Sequence, residues 1–160
     1  MASGKSGFGA DDLLRGRPYG GGGGSAIFWR HDTMANINVI NTNSDRVCAV
    51  LLTINYVDIL LINVHMPCDG GETSTADFTI QLSIIDDIIE QNQNCQIILN
   101  GNFNVDFSCS WSHSSLLSDF CEQLLLFPAV KHDGNAVAYT YHFAMKQFHM
   151  LDHVVLSGGL

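Results

Sequence analysis

Three short stretches hold side chains of the types that act on polar substrates: "NVHMPCDGGE" (63–72), "LNGNFNVDF" (99–107) and "MLDHVVLS" (150–157). Each adjoins an apolar run and carries His, Asp, Asn or Glu. Imidazole and carboxylate can move protons, and a carboxylate can hold a metal ion. An amide can only orient and hydrogen-bond. His65 ends one apolar run, where a hydrogen-bonded structural histidine is more natural than a functional one. Asn102 and Asn104 flank Phe103 in a glycine-bearing turn, and turn chemistry alone accounts for asparagine there. Asp152 sits beside His153 in an otherwise apolar stretch, where an ionised carboxylate is costly unless it is paired, hydrogen-bonded or metal-bound; a cap or a structural ion pair would also explain it.

Two other patterns carry less. "GKS" at 4–6 has too few residues ahead of it for a GxxxxGK[ST] phosphate loop, and no strand precedes it. His142, His149 and His153, with Cys109 and His113, are candidate zinc ligands, but their spacing matches no strong zinc pattern.

The elements that must position these residues follow from composition and period. Residues 1–24 end in "GRPYGGGGG", a run without side chains to bury, and read as a flexible lead-in to a domain over 25–160. "SAIFWR", "NINVINTN", "RVCAVLLTI" and "VDILLINV" are short, β-branched and separated by turn residues, which predicts an antiparallel meander. In "NINVINTN" the alternation places Ile37 and Val39 on one face. From Thr75 to about Gln91 the period changes: Phe78, Leu82, Ile85 and Ile89 form a stripe with Asp86, Asp87 and Glu90 off it, an amphipathic helix entered through the capping residues of "ETST". "CQIIL" then reads as a buried strand. "SSLLSDFCEQLLL" is a second helix ended by Pro128, and "VAYTYHF" and "MLDHVVLS" are two closing strands. Strands, helix, strand, helix, strands suit layers of sheet and helix around one core.

The 160 residues, 46% of them hydrophobic, suffice for one such domain. The longest apolar runs fall short of the roughly 20 residues a membrane helix needs, and the N-terminus lacks a secretory signal's apolar core. The sequence therefore reads as intracellular, nuclear or cytoplasmic. Five cysteines without a CxxC pair read as reduced thiols. With 16 acids against 7 Lys and Arg, a net charge of −9 excludes a broad basic surface that grips phosphate backbones unaided. Nucleic-acid chemistry would have to lean on bound cations.

The stretches mean more in order than apart. "GRPYGGGGGSAIFWR" is followed by "VDILLINVHMP", "IILNGNFNVDFS", "LLSDFCEQLLL", "YTYHF" and "MLDHVVLS". In this series, over about residues 16–157, the sequence resembles the endonuclease/exonuclease/phosphatase superfamily, with its DNase I-like fold, and within it the apurinic-like endonuclease domain of non-LTR retrotransposons. The resemblance implies an α/β sandwich, two mixed sheets flanked by helices, incomplete here. It implies hydrolysis of DNA phosphodiesters with Mg²⁺ or Mn²⁺, and as partners DNA and the rest of a retroelement polyprotein with its reverse transcriptase. In that family a carboxylate in a GDFN loop activates water, the following Asn helps hold the phosphate, and an acid in an IDH strand positions a histidine. A cation supplies the electrophilic stabilisation, so the protein need not be basic.

Carried across, Asn104 matches the motif Asn and Asp152 the histidine-orienting Asp. His65 stands where a phosphate-contacting Tyr is common, and a neutral imidazole can still donate one hydrogen bond. Asn102 stands at the Asp of GDFN, where an amide can neither accept a proton nor offer a full negative charge. Loss of a general base costs roughly 10²–10⁴ in rate, so the expectation is an inactive or impaired endonuclease fragment. The family's upstream Glu strand and downstream SDH histidine also find no counterpart, which suggests truncation at both ends. Unpaired sheet edges and self-association are expected with it. The alternative is a non-catalytic binding or zinc-binding module.

Overall fold

The computed structural model describes residues 2–5, 25–30, 35–129, 139–143 and 147–158. Along the chain run β1 (Ala2–Lys5), β2 (Ser25–Phe28), β3 (Asn36–Ile40), β4 (Val47–Ile54), β5 (Val57–His65), α1 (Ser74–Glu90), β6 (Gln96–Asn102), α2 (Ser112–Gln123), β7 (Leu126–Pro128), β8 (Tyr141–Phe143), β9 (Gln147–His149) and β10 (Asp152–Ser157). Six strands make one mixed sheet in the order β3-β4-β5-β6-β10-β7. β3, β4 and β5 form the expected antiparallel meander. Its second hairpin turns on Asn55 and Tyr56, with φ of 51° and 66°. Positive φ at both central residues gives a primed turn, whose twist matches that of the strands it joins.

β6 lies parallel to β5, so the chain must cross the sheet between them, and α1 makes that crossing. Its stripe is the expected one: Phe78, Leu82, Ile85 and Ile89 are buried, with Ile88 beside them. Leu117, Phe120 and Cys121 of α2 join the same cluster, which meets alternate residues of the sheet, including Leu60, Ile62, Val64, Ile97, Leu99 and Val155. Both helices therefore cover one sheet face. Burying each such side chain contributes about 1.5–3 kcal/mol.

The structure departs from the sequence pattern at several points. β2 leaves the meander: it pairs with β1 in a separate ribbon and is tied to β5 through Ser25, whose hydroxyl donates to the Asn63 carbonyl at 2.7 Å. Residues 2–5 of the expected lead-in are thus strand, and the rest of 1–24 lies outside the described residues, as does the start of "VAYTYHF". In β3 it is Ile40 that packs on the core, while Val39 is exposed. Thr73 makes no side-chain cap on α1; its hydroxyl donates to Asp77 at 3.1 Å instead. α2 stops before Pro128, because Leu125 takes φ of 52° and turns Leu126 into the core as the start of β7. Pro128 then sits in the outermost strand, where its missing N–H costs no ladder bond.

Of the two expected mixed sheets, the described residues form one; ribbons β1–β2 and β8–β9 stand apart from it. Among the described residues no helix is long and apolar enough to cross a membrane.

Candidate functional site

The site forms where β5 and β6 end and β10 begins. The parallel register pairs His65 with Asn102, and the antiparallel register pairs Asp152 with the same Asn102. Three of the four residues singled out from sequence therefore stand side by side on adjacent strands. Loops beyond the carboxyl ends of parallel strands are the usual place for a ligand in such sheets.

Gly101 makes this approach possible. Its φ is +132°, and a Cβ there would run into the Val64 carbonyl oxygen and lie 2.8 Å from the Val64 nitrogen. Main-chain bonds continue the join past the strands: Met66 N–H donates to the Asn102 carbonyl and Phe103 N–H to the Leu151 carbonyl, both at 2.8 Å. Phe103 and Val105 are fully buried and anchor the loop into the core.

Asn104, at φ of 51°, is left-handed, a conformation asparagine tolerates. Its backbone N–H donates to Asn102 Oδ1 at 2.8 Å, and its side-chain Nδ2 donates to the Met66 carbonyl at 2.7 Å. Both asparagines thus perform the turn work that sequence alone allowed them. Asn102 and Asn104 nevertheless also line a cleft of about 670 Å³, together with Asp152, Asp69, Trp111 and Tyr141. His65 stands beside Asn102 but does not line that cleft; its backbone carbonyl accepts from Arg46 Nη1 at 3.1 Å.

The start of β10 is held from β8's side. The Thr140 hydroxyl accepts from Leu151 N–H at 2.9 Å and from Asp152 N–H at 3.1 Å. His153 faces away from Asp152: it is buried, its Nε2 is 2.7 Å from the Val105 carbonyl, and its ring meets Phe107 edge-on. This is a structural histidine.

Sequence reasoning passed over Asp106. Its Oδ1 accepts from the Ser108 N–H at 2.9 Å and from the Ser108 hydroxyl at 2.5 Å, while Oδ2 lies 3.2 Å from His149 Nδ1 and 3.3 Å from Met150 N. Burial pushes this carboxyl upward, but the bonds from Ser108, His149 and Met150 outweigh it and hold the group below its ordinary value. An Asp followed two residues later by Ser is a local signal for such a turn, but nothing local announces His149. The thiols of Cys48, Cys95 and Cys121 are raised, chiefly by burial, Cys121 to about 11, which leaves them poor nucleophiles.

Magnesium asks for oxygen donors, carboxylates foremost. Asp69 and Asp152 line the cleft, the other lining residues bring no third carboxylate, and Asn102 Oδ1 already accepts from Asn104. Among the described residues the one group of three or more His, Cys, Asp or Glu that converges is Asp106, Cys109 and His149. These residues do not by themselves make a magnesium site.

With this architecture the chain has the endonuclease/exonuclease/phosphatase fold, the DNase I-like class expected from its motifs. It is similar to the endonuclease domain of TRAS1, a telomere-specific non-LTR retrotransposon, with a TM-score of 0.60 and 13% identity over 82% of this chain and 58% of that one. The human Nocturnin catalytic domain matches at a TM-score of 0.58 and 14% identity, over 99% of this chain and 60% of that one. An endonuclease/exonuclease/phosphatase family protein from Bacteroides thetaiotaomicron matches at 0.53 and 16% identity, over 83% and 54%. The chain therefore spans 54–60% of the length of these solved structures. No protein-family model and no curated protein matches the sequence.

Proposed function

We propose that this chain is a module of a retroelement-type endonuclease, built to receive a DNA phosphodiester and impaired in cleaving it. The observation that carries this reading is the shared register of His65, Asn102 and Asp152 at the strand ends, with an amide at its centre. The likeness to the TRAS1 endonuclease domain supports the retroelement branch. The Nocturnin catalytic domain, solved with a bound sulfate, supports a fold that accepts tetrahedral oxyanions.

In this reading the Asn102 and Asn104 amides and the Trp111 and Tyr141 rings border the space for the strand. Asp152 supplies charge at its edge. What is lacking is a base: Asn102 cannot take a proton from water. A divalent cation such as Mg²⁺ or Mn²⁺ would neutralise a phosphate oxygen in this class of chemistry, but the described residues offer it too few carboxylates for a step to be derived through it.

A plasmid-nicking assay with Mg²⁺ or Mn²⁺ tests the proposal. The expected outcome is no cleavage by the native chain and none by Asn102→Asp alone, because two cleft carboxylates are too few even with a third restored beside them. Nicking by the native chain that persists in Asn102→Ala overturns it.

A further inference from the structure

Asp106 and Cys109 belong to the loop after β6, and His149 ends β9, 43 residues beyond Asp106. The Cys109 N–H donates to the Asp106 carbonyl at 3.0 Å, closing a turn that sets the two side chains on one side of the loop. Asp106 Oδ2 lies 3.2 Å from His149 Nδ1, and Cys109 Sγ lies 3.8 Å from the same nitrogen. All three donor atoms fall within 4.8 Å of one another.

A hydrogen-bonded pair accounts for only part of this. One ring nitrogen is approached by both a carboxylate oxygen and a sulfur, so hydrogen bonding would have to be shared or relayed through the thiol proton. An ion between the three atoms engages all of them. Ligand distances of about 2.0 Å for nitrogen and oxygen and 2.3 Å for sulfur, at tetrahedral angles, separate the donors by about 3.3–3.6 Å. The two separations from His149 Nδ1, 3.2 and 3.8 Å, lie on either side of that range, and the third donor pair falls within 4.8 Å.

We propose that Asp106, Cys109 and His149 form a site for Zn²⁺ or a similar late first-row divalent ion, beside the cleft and separate from any magnesium requirement. The donor set argues for the ion's class. Thiolate and imidazole favour borderline and soft metals, whereas magnesium takes oxygen. A carboxylate and a thiolate together balance the ion's double charge, which suits a site where Asp106 and His149 side chains are only 10% and 20% exposed.

The surroundings hold the ligands in place. Ser108 engages the other Asp106 oxygen through both its N–H and its hydroxyl, and the Trp111 ring lies 4.9 Å from that of His149. Such outer partners fix ligand orientation in metal sites. His149 also borders the cleft, so the fourth position falls to solvent or to an oxygen of whatever the cleft holds. Of the five zinc candidates in the sequence, the structure brings only Cys109 and His149 together. His113 stacks on Phe78, His142 lies near Tyr139, and His153 turns to Val105.

The site does not depend on the nuclease reading, and its test needs no nicking. Purified full chain is analysed for metal content and titrated with Zn²⁺ against a chromophoric chelator. One zinc per chain is expected, undisplaced by excess Mg²⁺. Cys109→Ser and His149→Ala should each weaken binding by more than the roughly 10–100-fold expected for Ser108→Ala, which removes an outer partner. Cobalt substitution supplies a second readout: a sulfur-to-metal charge-transfer band, lost in Cys109→Ser while circular dichroism stays unchanged. Substoichiometric zinc, zinc affinity unaltered in Cys109→Ser, or a cobalt spectrum without a thiolate band overturns the proposal.

Discussion

Asn102 and Asp152 are paired positions on β6 and β10, and the side-chain oxygen of Asn102 accepts from the Asn104 backbone N–H. The residue at the centre of the candidate site therefore carries structural work that an aspartate could perform equally well. Asn102→Ala should lower stability by about 0.5–1.5 kcal/mol through the lost hydrogen bond. Asn102→Asp should stay within about 0.5 kcal/mol of the native chain in urea unfolding. Equal losses in both variants would contradict this division of roles.

Gly101 has no tolerable substitute. In Gly101→Ala the Cβ meets Val64 backbone, and an L-residue is forced to φ of +132°. Strain of about 1–3 kcal/mol from the backbone alone, plus separation of β5 from β6, should shift the unfolding midpoint downward by several degrees or abolish folding. An unchanged midpoint would mean that the strands approach less closely than described.

Asp106 should govern part of the acid limb of stability in the metal-free chain. Its folded-state pKa is lowered, so its contribution is fully present above the unfolded carboxyl value of 3.8 and is lost as pH falls through the folded value. Asp106→Asn should therefore be less stable than the native chain at neutral pH, by about 1–3 kcal/mol, with the gap narrowing below about pH 4. Denaturant titrations across pH 2–7 check the sign; a gap that widens in acid would refute it.

His113 offers a stabilising change. It is fully buried against Phe78, neither ring nitrogen has a hydrogen-bond partner among the described residues, and Asp69 Oδ1 at 3.9 Å is too distant to serve as one. Replacing it with Leu should be neutral or raise stability by about 1–2 kcal/mol, since no bond is lost and a desolvated polar group is removed. A marked loss in calorimetry would reveal a role for this imidazole beyond packing.

Self-association is expected from the sheet's two outer strands. β3 exposes Val39 and β7 exposes Phe127, at the opposite edges of the six-stranded sheet. Val39→Lys or Phe127→Lys should reduce the concentration dependence of the apparent mass in sedimentation experiments. A native chain that is monomeric at every concentration argues against the idea.

Local pattern announced what local physics decides. The α1 stripe was readable because a helix's period fixes its buried face; an ordered set of motifs singled out His65, Asn102 and Asp152, but their side-by-side register is set by strand pairing. What escaped depends on tertiary approach. β2 is apolar like its neighbours, and only its pairing with β1 places it in a ribbon apart from the meander, to which the Ser25–Asn63 contact ties it. The "LLL" after α2 continues the helical period, yet burial of Leu126 favours breaking it. Asp106 and His149 meet across 43 residues, a distance over which spacing carries no information.

The Thr140 hydroxyl, which accepts from two successive amides at the head of β10, has a kinetic consequence. The Leu151 and Asp152 protons rely on a side chain rather than on a neighbouring strand. Their exchange with deuterated solvent should follow release of that one hydroxyl, faster than exchange in the sheet interior and in step with each other. The cleft wall can then loosen as a unit while β5 and β6 keep their protection.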